Sequence, residues 1–278
     1  MKPPPLPAAC APLSNADFAR LKAARPRLWT DPATSCLTCL KRDDNTYRWY
    51  ADTTRTEIAT YECDCRTQWL LHLWFLNAGI GTNYQKLGWA DVSSVPQDVI
   101  EKIMNYAENA ARRVADGRNL ILWSAGPGTG KTLLLTLLLK YLMLQGIQVH
   151  FSQFNEIIDL FTSSWRDNAE REQWNRRVRN VDVLGMDDWG KEHKGRLEMV
   201  ESMVDQIIRA RVSDSAPVII TSNLTPQQMQ EGYGSYVMSL LTEQADFIEV
   251  TGSDFRPRRH ERSSQEAELG LARPITAV

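Results

Sequence analysis

Between residues 94 and 262 short apolar runs alternate with segments whose apolar residues recur at helical spacing. NLILWS (119–124), IQVHF (147–151), VDVLGM (181–186), VIIT (218–221) and FIEV (247–250) have the length and near-continuous apolar character of strands buried on both faces. Helical spacing places Val99, Ile103, Tyr106, Ala110 and Val114 on one face of a helix that starts near Pro96 and stops at Gly117. In RLEMVESMVDQII (196–208) the same spacing aligns Leu197, Val200, Met203, Val204 and Ile207. LLLTLLLKYLML, from Leu133 to Leu144, is apolar on all sides, which predicts a buried helix; broken by Thr136 and Lys140, it falls short of the ~20 residues that span a bilayer. The alternation predicts an α/β fold, a five-stranded parallel sheet flanked by helices, over residues 91–262, with no membrane contact.

The front end follows another pattern. Residues 1–30 open with a proline-rich stretch and offer Ser14 and Asp17 at capping-box spacing before a short helix. Prolines stand where a secretion signal would carry its apolar helix, so a cytoplasmic protein with reduced thiols is expected. Residues 31–90 hold Cys36 and Cys39 (SCLTC), then Cys63 and Cys65 (ECDC), then the aromatic stretch RTQWLLHLWFLNAG. Four thiolates suffice for one tetrahedral zinc ion, which would shape a module too small for its own core. A redox CxxC, which lacks its βαβ setting here, and ordinary buried thiols are the alternatives. His72 lies on the aromatic stretch and reads as a packing residue. Trp69, Leu70, Trp74 and Phe75 exceed what a small module can bury, so they pack on a neighbouring domain or face a partner. Residues 263–278 are polar without a clear period and are expected to be loose.

Composition adds bounds. With 278 residues, 43% of them hydrophobic, the chain can bury one large core plus a satellite. A net charge of −2 excludes a strongly basic body that coats nucleic acid. Any such contact is local, and SSWRDNAEREQWNRRVRN (163–180) is the candidate: Arg166, Arg171, Arg176, Arg177 and Arg179 interleaved with Trp165 and Trp174 suit single-stranded DNA. Asp167, Glu170 and Glu172 dilute that charge, and a solvated helix face is the alternative.

The first apolar strand runs into AGPGTGKT (125–132) and then into the apolar helix, the context of a phosphate-binding loop. Gly126, Pro127, Gly128, Thr129 and Gly130 would curl so that backbone amides face phosphate oxygens at a helix N-terminus. Lys131 would reach the β- and γ-phosphates, and the Thr132 hydroxyl would ligate magnesium. Ala125 stands where the strict pattern has glycine, a position that tolerates a small residue. The third strand ends in Asp187 and Asp188. At the carboxyl edge of a parallel sheet Asp187 can hold magnesium and Asp188 can orient and deprotonate a water. The next strand ends at Asn223, which either holds the attacking water or caps the turn before Pro226.

Residues 76 to 256 resemble AAA+ ATPases of the DnaC/IstB family of replicative helicase loaders and transposition ATPases. The resemblance is carried by LNAGIGTNYQKLGWADV, AGPGTGKTLLLTLLLKYL, VLGMDDWG, PVIITSNLTP and GSDFR, in family order. It implies Asp187 and Asp188 as Walker B residues, Asn223 as sensor 1 and Arg256 as sensor 2, although Arg256, Arg258, Arg259 and Arg262 also read as a solvated basic face. It further implies ATP, a replicative helicase as partner and homo-oligomers on DNA or helicase. Leu240 falls where relatives carry an arginine finger, which leaves Arg209, Arg211, Arg258 or Arg259, slow turnover, or a non-hydrolysing scaffold. An IstB-like transposition ATPase is the nearer alternative.

Overall fold

The computed structural model describes residues 48–50, 60–62, 64–93, 95–190, 197–233, 235–252, 254, 256–269 and 273–277. A short antiparallel pair, β1 (Arg48–Tyr50) and β2 (Thr60–Glu62), precedes helices α1 (Asp64–Asn77), α2 (Thr82–Gln85), α3 (Gln97–Glu108) and α4 (Ala110–Ala115). Strand β3 (Asn119–Trp123) then leads to α5 (Lys131–Leu144), β4 (Val149–Gln153), α6 (Phe154–Ser164), α7 (Asn168–Trp174) and a π-helical turn at Asn175–Arg179. The remainder is β5 (Val183–Trp189), α8 (Leu197–Ser213), β6 (Val218–Ser222), α9 (Pro226–Tyr233), α10 (Ser235–Glu243), β7 (Ala245–Glu249) and α11 (Arg256–Glu268).

The five strands expected from the apolar runs pair in the order β4-β5-β6-β3-β7, all parallel. The strands inside the sheet are buried because side chains of opposite parity feed different cores, whereas β7, at an edge, is only partly covered. Leu120 and Leu122 of β3 join α1, α3 and α5 on one face, and Ile121 joins α6, α8, α9 and α10 on the other. Helix α5 presses hardest on the sheet at Gly185. A Cβ there would lie 2.6 Å from Leu139 Cδ1, so the glycine sets the approach of helix to strand. The chain leaves β3 toward β4 on one side and returns to β7 on the other, which makes the carboxyl end of β3 the switch point where ligands of open parallel sheets bind.

Three details differ from the sequence expectation. The helix expected to run from Pro96 past Val114 breaks at Asn109, whose side-chain Nδ2 donates to Asn105 O at 2.9 Å and competes with the backbone for that carbonyl. The apolar face survives the break, with Val99, Ile103, Tyr106 and Ala110 buried and Val114 packed against them. The third strand extends past Met186 through both aspartates to Trp189.

The polar C-terminus expected to be loose is instead held. Helix α11 continues to Glu268, and residues 273–277 lie against α1, α2 and α5. Ile275 N donates to Gln68 Oε1 at 2.6 Å and Gln68 Nε2 to Ile275 O at 3.1 Å; Thr276 N donates to Gln85 O at 3.1 Å. Backbone groups and the charged Arg273 do much of the holding, which is why no apolar period announces it.

Leu71, Trp74 and Phe75 of α1 belong to the same buried cluster as the α5 leucines, so this part of the aromatic stretch packs on the sheet domain. His72 is a packing residue as expected: it is buried, with Nδ1 2.7 Å from Gln85 Oε1. Among the described residues no helix is long and apolar enough to cross a membrane.

Candidate nucleotide site

The loop between β3 and α5 carries its glycines where the backbone needs them. Gly128 (φ +80°) and Gly130 (φ +96°), the residue that caps the start of α5, are in the left-handed region. Ala125 is not, so its Cβ costs no backbone strain. Lys131 is buried, and its ammonium donates to Ser124 Oγ (2.5 Å), Gly126 O (3.0 Å) and Thr129 Oγ1 (3.4 Å). Ser124 also donates to Gly126 O at 2.7 Å, a brace that the sequence reading missed because a serine at a strand end has no distinguishing pattern.

Asp187 is 2% exposed and lies beside the loop. Thr132 Oγ1 donates to its Oδ1 at 2.9 Å and sits 3.2 Å from Oδ2. Thr221 Oγ1, on the neighbouring strand, donates to Oδ1 at 2.6 Å. Asp188 has φ +60° and is half-buried in the cleft, and its amide donates to Thr221 Oγ1 at 3.0 Å. Trp189 turns back into the core, stacked on Phe154 with ring centroids 5.6 Å apart. Thr221 was also missed by the sequence reading, since only the pairing of β5 with β6 brings it to the aspartates.

The cleft is lined by Pro127, Gly128, Thr129, Gly130, Lys131, Thr132, Asp187, Asp188, Asn223 and Arg256, which are residues of three strand ends and the start of α11. Tyr84 and Gln153 line it as well. Arg256 is exposed, and its amide donates to Asp254 Oδ1 at 3.0 Å. The Asp254 carboxylate rests on Gly128, where a Cβ would meet it at 2.1 Å. A larger groove, about 520 Å³, lies at the edge strand β7 between Asp98, Tyr106, Arg113 and Asp246, away from the phosphate loop.

Other expected residues fall elsewhere. Cys36, Cys39 and Cys63 lie outside the described residues, as does the side chain of Cys65; among the described residues no group of His, Cys, Asp and Glu is arranged to hold a metal ion. Leu240 packs against the α8 side of the core. Arg211 is 2% exposed and binds backbone carbonyls, which removes it from the arginine-finger candidates. Trp174 is buried at 7% exposure between helices, its ring 5.0 Å from Phe161, so it is closed to base stacking, whereas Trp165 is 65% exposed.

The family model for IstB-like ATP-binding proteins matches residues 92–263, more than half of the chain. The chain belongs to this family. The replicative helicase loader DnaC of Escherichia coli is 26% identical over 142 residues, 51% of this chain and 56% of that protein. DnaC of Buchnera aphidicola subsp. Baizongia pistaciae is 29% identical over 121 residues, 43% of this chain and 47% of that protein. The matched region therefore spans about half the length of the curated relatives. A crystal structure of the DnaC helicase loader covers 62% of this chain and all of its own, with 20% identity and a TM-score of 0.50, which shows a shared fold. The sheet and its helices are thus an AAA+ P-loop ATPase core, as its family implies.

The residues at the cleft fit a nucleotide with magnesium. Thr132 and Asp187 offer adjacent hard oxygen donors at the end of the loop, and Gly128 and Gly130 provide the backbone curvature that a phosphate cradle needs.

Proposed function

We propose that this protein is an ATP-dependent replicative helicase loader that binds and hydrolyses ATP with magnesium, contacts single-stranded DNA and delivers a helicase during DNA replication. The observation that carries this reading is the meeting of Lys131 and Thr132, Asp187 and Asp188, and Asn223 and Arg256 in one cleft at the carboxyl edge of the sheet, in a chain of the IstB-like family. Similarity to DnaC favours a loader; the match to the IstB-like family keeps an IstB-like transposition ATPase as the second reading.

In the proposed cycle the backbone amides of Gly126, Gly128, Thr129 and Gly130 bind the phosphates, and Lys131 exchanges Ser124 and Gly126 for phosphate oxygens. Thr132 and Asp187 would hold magnesium, which neutralises phosphate charge and offsets the repulsion between the two aspartates. Asp188, aimed into the cleft by its left-handed backbone, accepts the proton of the attacking water. Asn223 orients that water and Arg256 stabilises the transferring phosphoryl group. With Leu240 packed against the core, an arginine donated by a second subunit comes from Arg209, Arg258 or Arg259. Arg209, paired with Asp205 at 2.7 Å but exposed, must release that pair first.

Single-stranded DNA would meet Trp165 with Arg166, Arg171, Arg176, Arg177 and Arg179. Residues 31–90 would supply the helicase contact, with Cys36, Cys39, Cys63 and Cys65 holding one zinc ion. That ligand set rests on number and spacing alone, and purified protein without stoichiometric zinc retires it.

Two measurements test the main reading. ATP turnover with single-stranded DNA and helicase present should fall at least about a hundredfold in Asp188→Asn; tight ATP binding without turnover in the unmodified protein would instead support a scaffold. Affinity capture from cells should recover a replicative helicase, and recovery of a transposase in its place would establish the second reading.

A further inference from the structure

Resting on that nucleotide-site reading, we propose that Thr221 is the positioning residue that holds Asp187 and Asp188 in working geometry from the side of the neighbouring strand. Between Met186, paired with Ile220, and Trp189, paired with Ser222, strand β5 carries one residue more than β6. The extra residue is Asp188, in the left-handed conformation. A bulge of this kind turns the following side chain to the other face and leaves backbone groups without ladder partners. Met186 and Trp189 both enter the α8-side core, although strict alternation over three residues would send them to opposite faces.

Two hydroxyls of β6 take up the groups this leaves. Ser222 Oγ donates to Trp189 O at 2.7 Å, and Thr221 Oγ1 accepts from Asp188 N at 3.0 Å. The second bond fixes which way the hydroxyl of Thr221 donates. A backbone amide can only donate, so it occupies a lone pair of Thr221 and leaves the single hydroxyl proton for Asp187 Oδ1, at 2.6 Å. Thr221 is fully buried, with no solvent to compete for that proton.

Asp187 accepts from two threonines on different elements, Thr132 at the phosphate loop and Thr221 on β6. Thr132 can ligate magnesium through an oxygen lone pair while its hydroxyl proton stays on the carboxylate, so it holds Asp187 from the metal side. Thr221 cannot reach the phosphate side and keeps its bond. It thereby holds Oδ1 and leaves the remaining lone pairs of Asp187 for the metal, while the same oxygen keeps Asp188 turned into the cleft. Second partners of this type orient ligating carboxylates.

The test is ADP affinity by calorimetry, with EDTA and with magnesium, for the unmodified protein, Thr221→Val and Thr221→Ser. Valine keeps the shape and removes the hydroxyl. Its EDTA affinity should stay within about twofold of the unmodified protein, while the gain from magnesium shrinks about tenfold. Serine should restore most of that gain. A general packing role would weaken both conditions alike, and equal magnesium gains in the valine and unmodified proteins overturn the proposal. If the valine protein does not fold, Thr221→Ala is read by the same two conditions. An unmodified protein that binds no nucleotide in either condition overturns the site reading itself, a result distinct from a normal site with an indifferent Thr221.

Discussion

Arg211 donates from Nη1 to Val178 O at 2.7 Å and from Nη2 to Val181 O, Asp182 O and Pro217 O at 3.1, 3.1 and 3.0 Å. These carbonyls surround the entry to β5 and β6, so one side chain on α8 closes the loops that start two central strands. Burial pushes the guanidinium down to about 10, which leaves it charged at neutral pH. Arg211→Leu strands those carbonyls and should destabilise the fold by about 3 kcal/mol. A chemical denaturation series reads this, and a change under about 0.5 kcal/mol sinks the structural assignment. Sequence shows an arginine near the end of a helix; only the surrounding backbone tells a structural arginine from a donated one. Gly185 is similar. The Cβ of Gly185→Ala would meet Leu139 at 2.6 Å, an overpacking that should cost about 1–3 kcal/mol and appear as a lowered melting temperature.

At the scale of elements, the length of the apolar runs located the five strands and the long apolar helix, because a buried strand needs only about four to eight residues and a buried helix more than about ten. It could not locate the bulge in β5, since an extra residue is defined by the partner strand. Nor could it divide the two tryptophans of residues 163–180. Trp174 closes the core beside Phe161, and Trp165 packs only edge-on against the same ring and otherwise faces solvent. Trp174→Ala should therefore cost about 3–5 kcal/mol of stability. Trp165→Ala should change stability by less than about 0.5 kcal/mol, yet weaken single-stranded DNA binding by about 1–3 kcal/mol. Fluorescence anisotropy with a labelled oligonucleotide measures the second effect, and unchanged affinity removes Trp165 from the DNA contact.

For the whole molecule, the main unanticipated contact is the one between the C-terminus and the front of the domain. Lys140 is fully buried in α5 and donates to Gln85 O, Leu87 O and Thr276 O at 3.0, 2.8 and 3.0 Å, with its ammonium 4.9 Å from the centre of the Phe75 ring. It joins the phosphate-loop helix, the α1–α2 region and the end of the chain. Arg262 and Arg273 meet on Asp91 at 2.9 Å each and tie α11 to the same region. Burial lowers Lys140 to about 7, against about 10.4 for a free lysine. Between those values the unfolded chain binds more protons than the folded one. The contribution of Lys140 to stability is therefore lowest below pH 7 and rises as pH climbs from there toward 10. Denaturation midpoints between about pH 6 and pH 9 should show this slope in the unmodified protein and lose it in Lys140→Met. The variant should also free residues 273–277, read as roughly tenfold faster exchange of the Thr276 amide; an unchanged rate would mean that the bonds from Gln68, Gln85 and Asp91 retain the segment without Lys140.

The sequence by itself determined the sheet, the buried helix and the phosphate loop, because each is written in local periodicity or in contiguous residues that must be neighbours to work. It also put Asp187, Asp188 and Asn223 at strand ends, which a parallel sheet gathers at one edge. Tertiary structure alone decided which hydroxyls hold the aspartates, which arginine is structural, which tryptophan is exposed, and that the polar C-terminus is docked. Those outcomes depend on hydrogen bonds and contacts between residues far apart in the chain, and such contacts leave no period in either segment that makes them.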